Sequence, residues 1–86
     1  MPTISTFYGI TIRMHWKDHA PPHFHAEVGD AEAIVGILEL SVIRGHLPSR
    51  ATRLILEWAE MHRKELLEDW DLCAKGLAPR KVQPLE

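Results

Sequence analysis

His23-Phe24-His25-Ala26-Glu27-Val28-Gly29-Asp30-Ala31-Glu32-Ala33-Ile34-Val35-Gly36-Ile37 is the stretch on which the architecture turns. Polar and apolar residues alternate from His23 to Val28, the period of a half-buried strand. Gly29-Asp30 is a two-residue turn signal, so Ala31 to Ile37 returns antiparallel as a hairpin. In that register Val28 faces Ala31, Ala26 faces Ala33 and Phe24 faces Val35 on the buried side. Glu27 then faces Glu32 on the outer side. Like charges directly opposite are unfavourable, which counts against the register or calls for a cation nearby.

Upstream, Asp18-His19-Ala20-Pro21-Pro22-His23-Phe24-His25 reads as a rigid corner. Each proline ring locks its own φ, and Pro22 drives Pro21 toward an extended conformation. Before the corner, Phe7 to Trp16 reads as a strand. Ile10, Ile12, Met14 and Trp16 share one face; Thr11, Arg13, His15 and Lys17 share the other. Gly9 marks a bulge or a close backbone approach. Met1 to Thr6 reads as a lead-in.

Downstream, Leu38 to Arg44 reads as a short fourth strand ended by Gly45. Leu47-Pro48-Ser49 opens a helix, proline being tolerated in the first turn. Ala51, Leu54, Ile55, Trp58, His62, Leu66, Trp70 and Cys73 form one helical stripe. Ser49 to Lys75 as a single helix would run about 40 Å, too long for a domain of this size. Either it breaks near His62 or it overhangs the sheet onto a second copy. Gly76 suits a helix C-terminus and Pro79 a stop; Arg80 to Leu85 is the place for a short C-terminal edge strand through Val82. The fold class is therefore α+β: an antiparallel three- to four-stranded meander against one long helix or two consecutive ones, in a single domain over residues 1–86. The inward set is Ile10, Ile12, Met14, Phe24, Ala26, Val35 and Ile37.

The totals narrow the function classes. The 86 residues are 45% hydrophobic and 26% charged, with formal net charge −2. An acidic balance weighs against a dedicated nucleic-acid binder, though not against a local basic patch. Cys73 is the only cysteine, so no internal disulfide forms and a reducing compartment is the simpler expectation. No apolar run approaches the roughly 20 residues of a membrane span, and the first residues do not follow a signal-peptide pattern. The cytoplasm is the expected location.

If the strands on either side of the corner pair, one face gathers Arg13, His15, Lys17, His23, His25 and Glu27, with Asp18 and His19 at its rim. The plainest account is a solvated sheet face, which carries polar residues at alternate positions in any case. Two chemical accounts stand beside it. Histidines two apart on a strand point the same way, so His23 and His25, with His19 or His15 and an oxygen from Asp18 or Glu27, make a set for zinc or another transition metal. Alternatively, His23 and His25, with His15 beside them, serve as acid and base in RNA cleavage that needs no cofactor, with Arg13 or Lys17 at the phosphate. His62 reads as a half-buried histidine with a hydrogen-bond partner, Trp58 and Trp70 as core residues, and Cys73 as buried and inert.

The motifs MPTIS-x-FYGI (Met1 to Ile10), D-H-x-P-P-H-F-H (Asp18 to His25), L-P-x-R-A (Leu47 to Ala51) and L-x-L-E-W-A-x-x-H-R-x-E-L-L-x-x-W (Leu54 to Trp70) span nearly the whole chain. With them the chain resembles the small bacterial proteins of domain-of-unknown-function family 4160. The resemblance implies no catalytic residue. It implies a context: genes of this kind often stand beside a gene for a second small domain of unknown function, an arrangement like a toxin–antitoxin pair. The expectation is a small bacterial protein that binds the neighbouring gene's product, with RNA cleavage through the histidine face as its chemistry. The alternatives are a metal-binding or metal-sensing domain and a structural homodimer.

Overall fold

The hairpin forms in the anticipated register. In a computed structural model describing residues 1–86, β3 (His23–Val28) pairs antiparallel with β4 (Ala31–Gly36), with Phe24 opposite Val35, Ala26 opposite Ala33 and Val28 opposite Ala31. Glu27 does face Glu32, and the cation is Arg13, whose Nε lies 3.3 Å from Glu27 Oε1. That distance makes an ion pair, but the N–H is not aligned for a hydrogen bond.

The meander has five strands rather than three or four. The segment read as a lead-in is β1 (Thr3–Phe7), paired antiparallel with β2 (Ile10–Arg13). Gly9 is neither bulge nor close approach but the second residue of the connecting turn. Tyr8 has φ +50° and Gly9 φ +76°, the paired left-handed conformation that matches a two-residue turn to strand twist. The run read as one strand from Phe7 to Trp16 is thus cut at both ends. Beyond Arg13 the chain leaves the sheet, Lys17 takes φ +52°, and Trp16 is 47% exposed instead of inward. Its indole N–H donates to the Leu77 carbonyl at 3.1 Å.

β5 (Ser41–Gly45) completes the order β1-β2-β3-β4-β5. Its pairing with β4 is irregular: Val42 lies opposite Val35, yet Arg44 lies opposite Ile34. Ile43 is therefore the extra residue of a bulge, which re-aims the side chains beyond it. Gly45, at φ +85°, lies so close to the Glu32 carbonyl that a Cβ there would collide with it; only glycine ends the strand in this way.

The helical stretch breaks where the stripe meets His62. Helix α1 (Ser49–Met61) and helix α2 (Arg63–Ala74) meet at this residue, which has φ −121° and ψ 23°. The break keeps both helices within a molecule whose longest dimension is 33 Å. His62 Nδ1–H donates to Glu65 Oε1 at 2.7 Å. Ala51, Ile55, Trp58, Leu66 and Cys73 are buried against all seven inward residues named from the sequence.

The segment after α2 does not form an edge strand. It makes one backbone bond to β1, Val82 N–H to the Ile4 carbonyl at 2.8 Å. Pro79 and Pro84 lack the N–H groups that a ladder would need. Instead the segment answers buried polar groups: Trp58 Nε1–H donates to the Gln83 carbonyl and Arg80 N–H to Asp69 Oδ1, each at 2.8 Å. Asp69 is only 1% exposed and its Oδ2 has no partner. Burial holds its carboxyl above the ordinary 3.8, against the pull of the Arg80 N–H and charge. In the unfolded chain the group ionises first, so its contribution is favourable below about pH 3.8 and is lost as pH rises through the higher folded value. Asp69→Asn is thus expected to raise the melting temperature at pH 7 and to lose that advantage below pH 4. A lower melting temperature at pH 7 would show that the charge helps this site instead of burdening it.

Candidate functional site

Between β2 and β3 the chain leaves the sheet at Met14, turns through Trp16 and Lys17, and returns through a cis Ala20–Pro21 bond. Its return brings Asp18 onto the outer face of β3. This is why His23 and His25, on the face expected to be solvated, are each only 8% exposed. His23 Nε2–H donates to Asp18 Oδ2 at 2.9 Å, and His25 Nε2 lies 3.5 Å from the same oxygen. The His19 backbone N–H donates to Asp18 Oδ1 at 2.8 Å.

Each histidine has a different hydrogen-bonding position. His23 Nδ1 lies 2.8 Å from the Pro21 carbonyl, so both of its ring nitrogens face acceptors. A neutral imidazole has one N–H; only the imidazolium donates to both. His23 and Asp18 form a hydrogen-bonded pair. The His23 ring also lies against Trp70 of α2, with centroids 5.0 Å apart. The His25 ring stacks on His15 at 4.0 Å. Burial, and then the nearby His15, lower its proton affinity below the ordinary value, more than Asp18 raises it, so His25 is neutral near pH 7. His15 Nε2 is buried and has no partner. Burial pushes the Asp18 carboxyl up, but the His19 N–H and the bonds from His23 and His25 prevail, and it lies below its ordinary value.

One ligand atom each from His15, Asp18 and His25 lies within 4.8 Å of the others. Two imidazoles and a carboxylate are donors suited to zinc and to other divalent first-row metals. Ligand atoms around a tetrahedral zinc stand about 3.3 Å apart, so side-chain shifts on the order of 1 Å close the set.

The sequence-derived residues divide accordingly. Asp18, His15, His23 and His25 come together. His23, named as a ligand, is turned to Asp18 and Pro21 and holds the carboxylate. His19 is exposed and meets Asp18 through its backbone. Arg13 is engaged by Glu27. Lys17 lies over Gly76, and its backbone N–H donates to the Cys73 carbonyl at 3.0 Å. Cys73 is buried, and its thiol is raised by burial and by Asp69, which leaves it inert. Arg44 was read from the sequence only as the end of a strand and not as a site residue; it lines the same cleft as the histidines. No local signal placed it there, because its orientation depends on the bulge at Ile43.

These features define a small α+β domain: a five-stranded meander with two helices over one face and a histidine–aspartate cluster on the other. The chain belongs to the family described as Domain of unknown function (DUF4160), whose model matches residues 9–71. The matched segment contains the whole cluster and Arg44, and leaves out β1 and the segment that lies over Asp69. No curated protein and no solved structure gave a significant match. No helix is long and apolar enough to cross a membrane.

Proposed function

We propose that this chain is a transition-metal-binding domain, with zinc the first metal to test. His15, His25 and Asp18 are the ligands, and His23 is the residue that holds Asp18. One observation carries the reading: His15 Nε2 is buried without a partner beside a neutral histidine and a carboxylate. A buried nitrogen left unpaired costs roughly 1–3 kcal/mol, and a metal ion would satisfy it. Bound zinc supplies a Lewis acid and an acidified water. The protein's part is to hold the two imidazoles side by side and the carboxylate oriented. Calorimetric titration of tag-free protein should show one equivalent of zinc bound, and His15→Ala should remove it. Zinc affinity unchanged in His15→Ala would sink the assignment.

A second reading has its own observation. His23, with both ring nitrogens facing acceptors, and His25, neutral beside it, offer an acid and a base on one face. That pair supports RNA cleavage by a cytoplasmic member of a toxin–antitoxin-like two-gene module. On this reading the neighbouring gene's product, or a second copy of this chain, would pair at β5, an exposed edge strand. This reading requires cleavage of RNA in the presence of chelator, lost in His25→Ala, and co-purification with the neighbour's product.

A further inference from the structure

We propose that the cleft beside the cluster binds a phosphate monoester, with Arg44 as the residue that holds its phosphate. The inference deepens the metal reading and rests on it for one wall of the site.

The sheet register places the parts. On the outer face Arg13 is opposite His25, His25 opposite Ile34, and Ile34 opposite Arg44. Arg44 thus stands two strands from His25, about 10 Å across the sheet, with Ile34 as the floor between them. A phosphate group spans that gap when an extended arginine reaches back over Ile34. The bulge at Ile43 makes this row: in an unbroken ladder Ile43 would face Ile34, and Arg44 would belong to the other face.

The two arginines of the row differ. Arg13 is held by Glu27, whereas Arg44 has no ion-pair partner and remains exposed at the cleft. A guanidinium presents a rigid fork that matches two oxygens of a phosphate.

Charge selects the ligand. The only carboxylate lining the cleft is Asp18, and His23 already pairs with it. A divalent cation at the cluster then leaves the cleft strongly positive, which favours a phosphate dianion over a carboxylate. The apolar lining, Ala20, Pro21, Ile34 and Ile43, suits the organic part of an ester. The cleft measures about 420 Å³, within the range of small-ligand sites and larger than a free phosphate needs.

Adenosine monophosphate and inorganic phosphate are the probes, titrated by calorimetry into zinc-loaded protein and into protein kept in chelator. The wild-type protein should bind the nucleotide more tightly than inorganic phosphate. Arg44→Met should weaken nucleotide binding at least tenfold while leaving zinc affinity unchanged; Arg44 is exposed, so its loss does not threaten folding. Phosphorus NMR line shifts give a second readout of the same contact. Equal nucleotide affinity in wild type and Arg44→Met, or no nucleotide binding to zinc-loaded protein, would overturn the proposal. Inorganic phosphate binding as tightly as the nucleotide would overturn the ester assignment. If zinc itself fails to bind, the metal reading falls. Nucleotide binding in chelator that is lost in Arg44→Met would then still support the arginine's role.

Discussion

Asp18→Asn is expected to lower zinc affinity by more than about a hundredfold. Loss of a residue that only supports a ligand costs roughly 10- to 100-fold, and in the proposed site Asp18 would be both a ligand and a support. Its Oδ2 meets His23 at 2.9 Å and His25 at 3.5 Å. An asparagine can turn an oxygen toward one of them, but brings no charge to offset the metal. His23→Asn should have the smaller effect, roughly 10- to 100-fold, because it frees the carboxylate without removing it. Competition with a chromophoric chelator measures both; equal affinities in wild type and Asp18→Asn would eliminate the carboxylate as a ligand.

The same cluster gives the site a pH dependence of defined sign. His25 binds its proton less readily in the folded chain than at the ordinary 6.5, because of burial and then His15. Its contribution to stability is therefore present above about pH 6.5 and is lost as pH falls through the lower folded value. Zinc affinity should decline over the same window, since the metal and the proton compete for His25. The Asp18 contribution, from a carboxyl held below 3.8, is lost only under more acidic conditions.

Trp58→Ala is expected to destabilise the chain by about 3–5 kcal/mol. A domain of this length has roughly 4–13 kcal/mol in all, so the variant loses from about a quarter of its stability to all of it. Trp58 is fully buried where the helices meet the sheet. Its ring centroid lies 5.2 Å from Phe7 of β1 and 5.8 Å from Phe24 of β3. Its indole N–H donates to the Gln83 carbonyl, so one side chain joins sheet, helix and C-terminal segment. Trp58→Phe should cost less, because it keeps most of the apolar contact and loses chiefly that hydrogen bond, about 1 kcal/mol. Urea denaturation measures both. A loss under about 1 kcal/mol in Trp58→Ala would mean that the core collapses around the gap, contrary to the usual cost of a large cavity.

Much of the fold was legible because its signals are local. Alternation from His23 to Ile37, with Gly29-Asp30 at its centre, is enough to set the register of β3 and β4. The stripe from Ala51 to Cys73 identifies the buried helix face. The length argument pointed to His62 as one of two outcomes, and the dimensions of the domain decided for the break. β1 was missed because Thr3-Ile4-Ser5-Thr6-Phe7 is short and its turn carries Tyr8, an unusual residue for a left-handed conformation. Trp16 was misplaced because nothing in its alternation marks where β2 ends.

Residue type and alternation alone pick out the groups with chemistry to offer, His15, Asp18, His23 and His25, and put His23 and His25 on one strand face. Their surroundings depend on how distant segments fold together. The loop returning through Ala20–Pro21 buries the strand histidines under Asp18, turns His23 into the holder of that carboxylate and leaves His15 Nε2 unpaired. One extra residue at Ile43 brings Arg44 into the same row. Alternation and turn signals act over a few neighbours and survive in the sequence; the fold of a loop over a sheet, and the phase of a strand after a bulge, depend on contacts between distant segments.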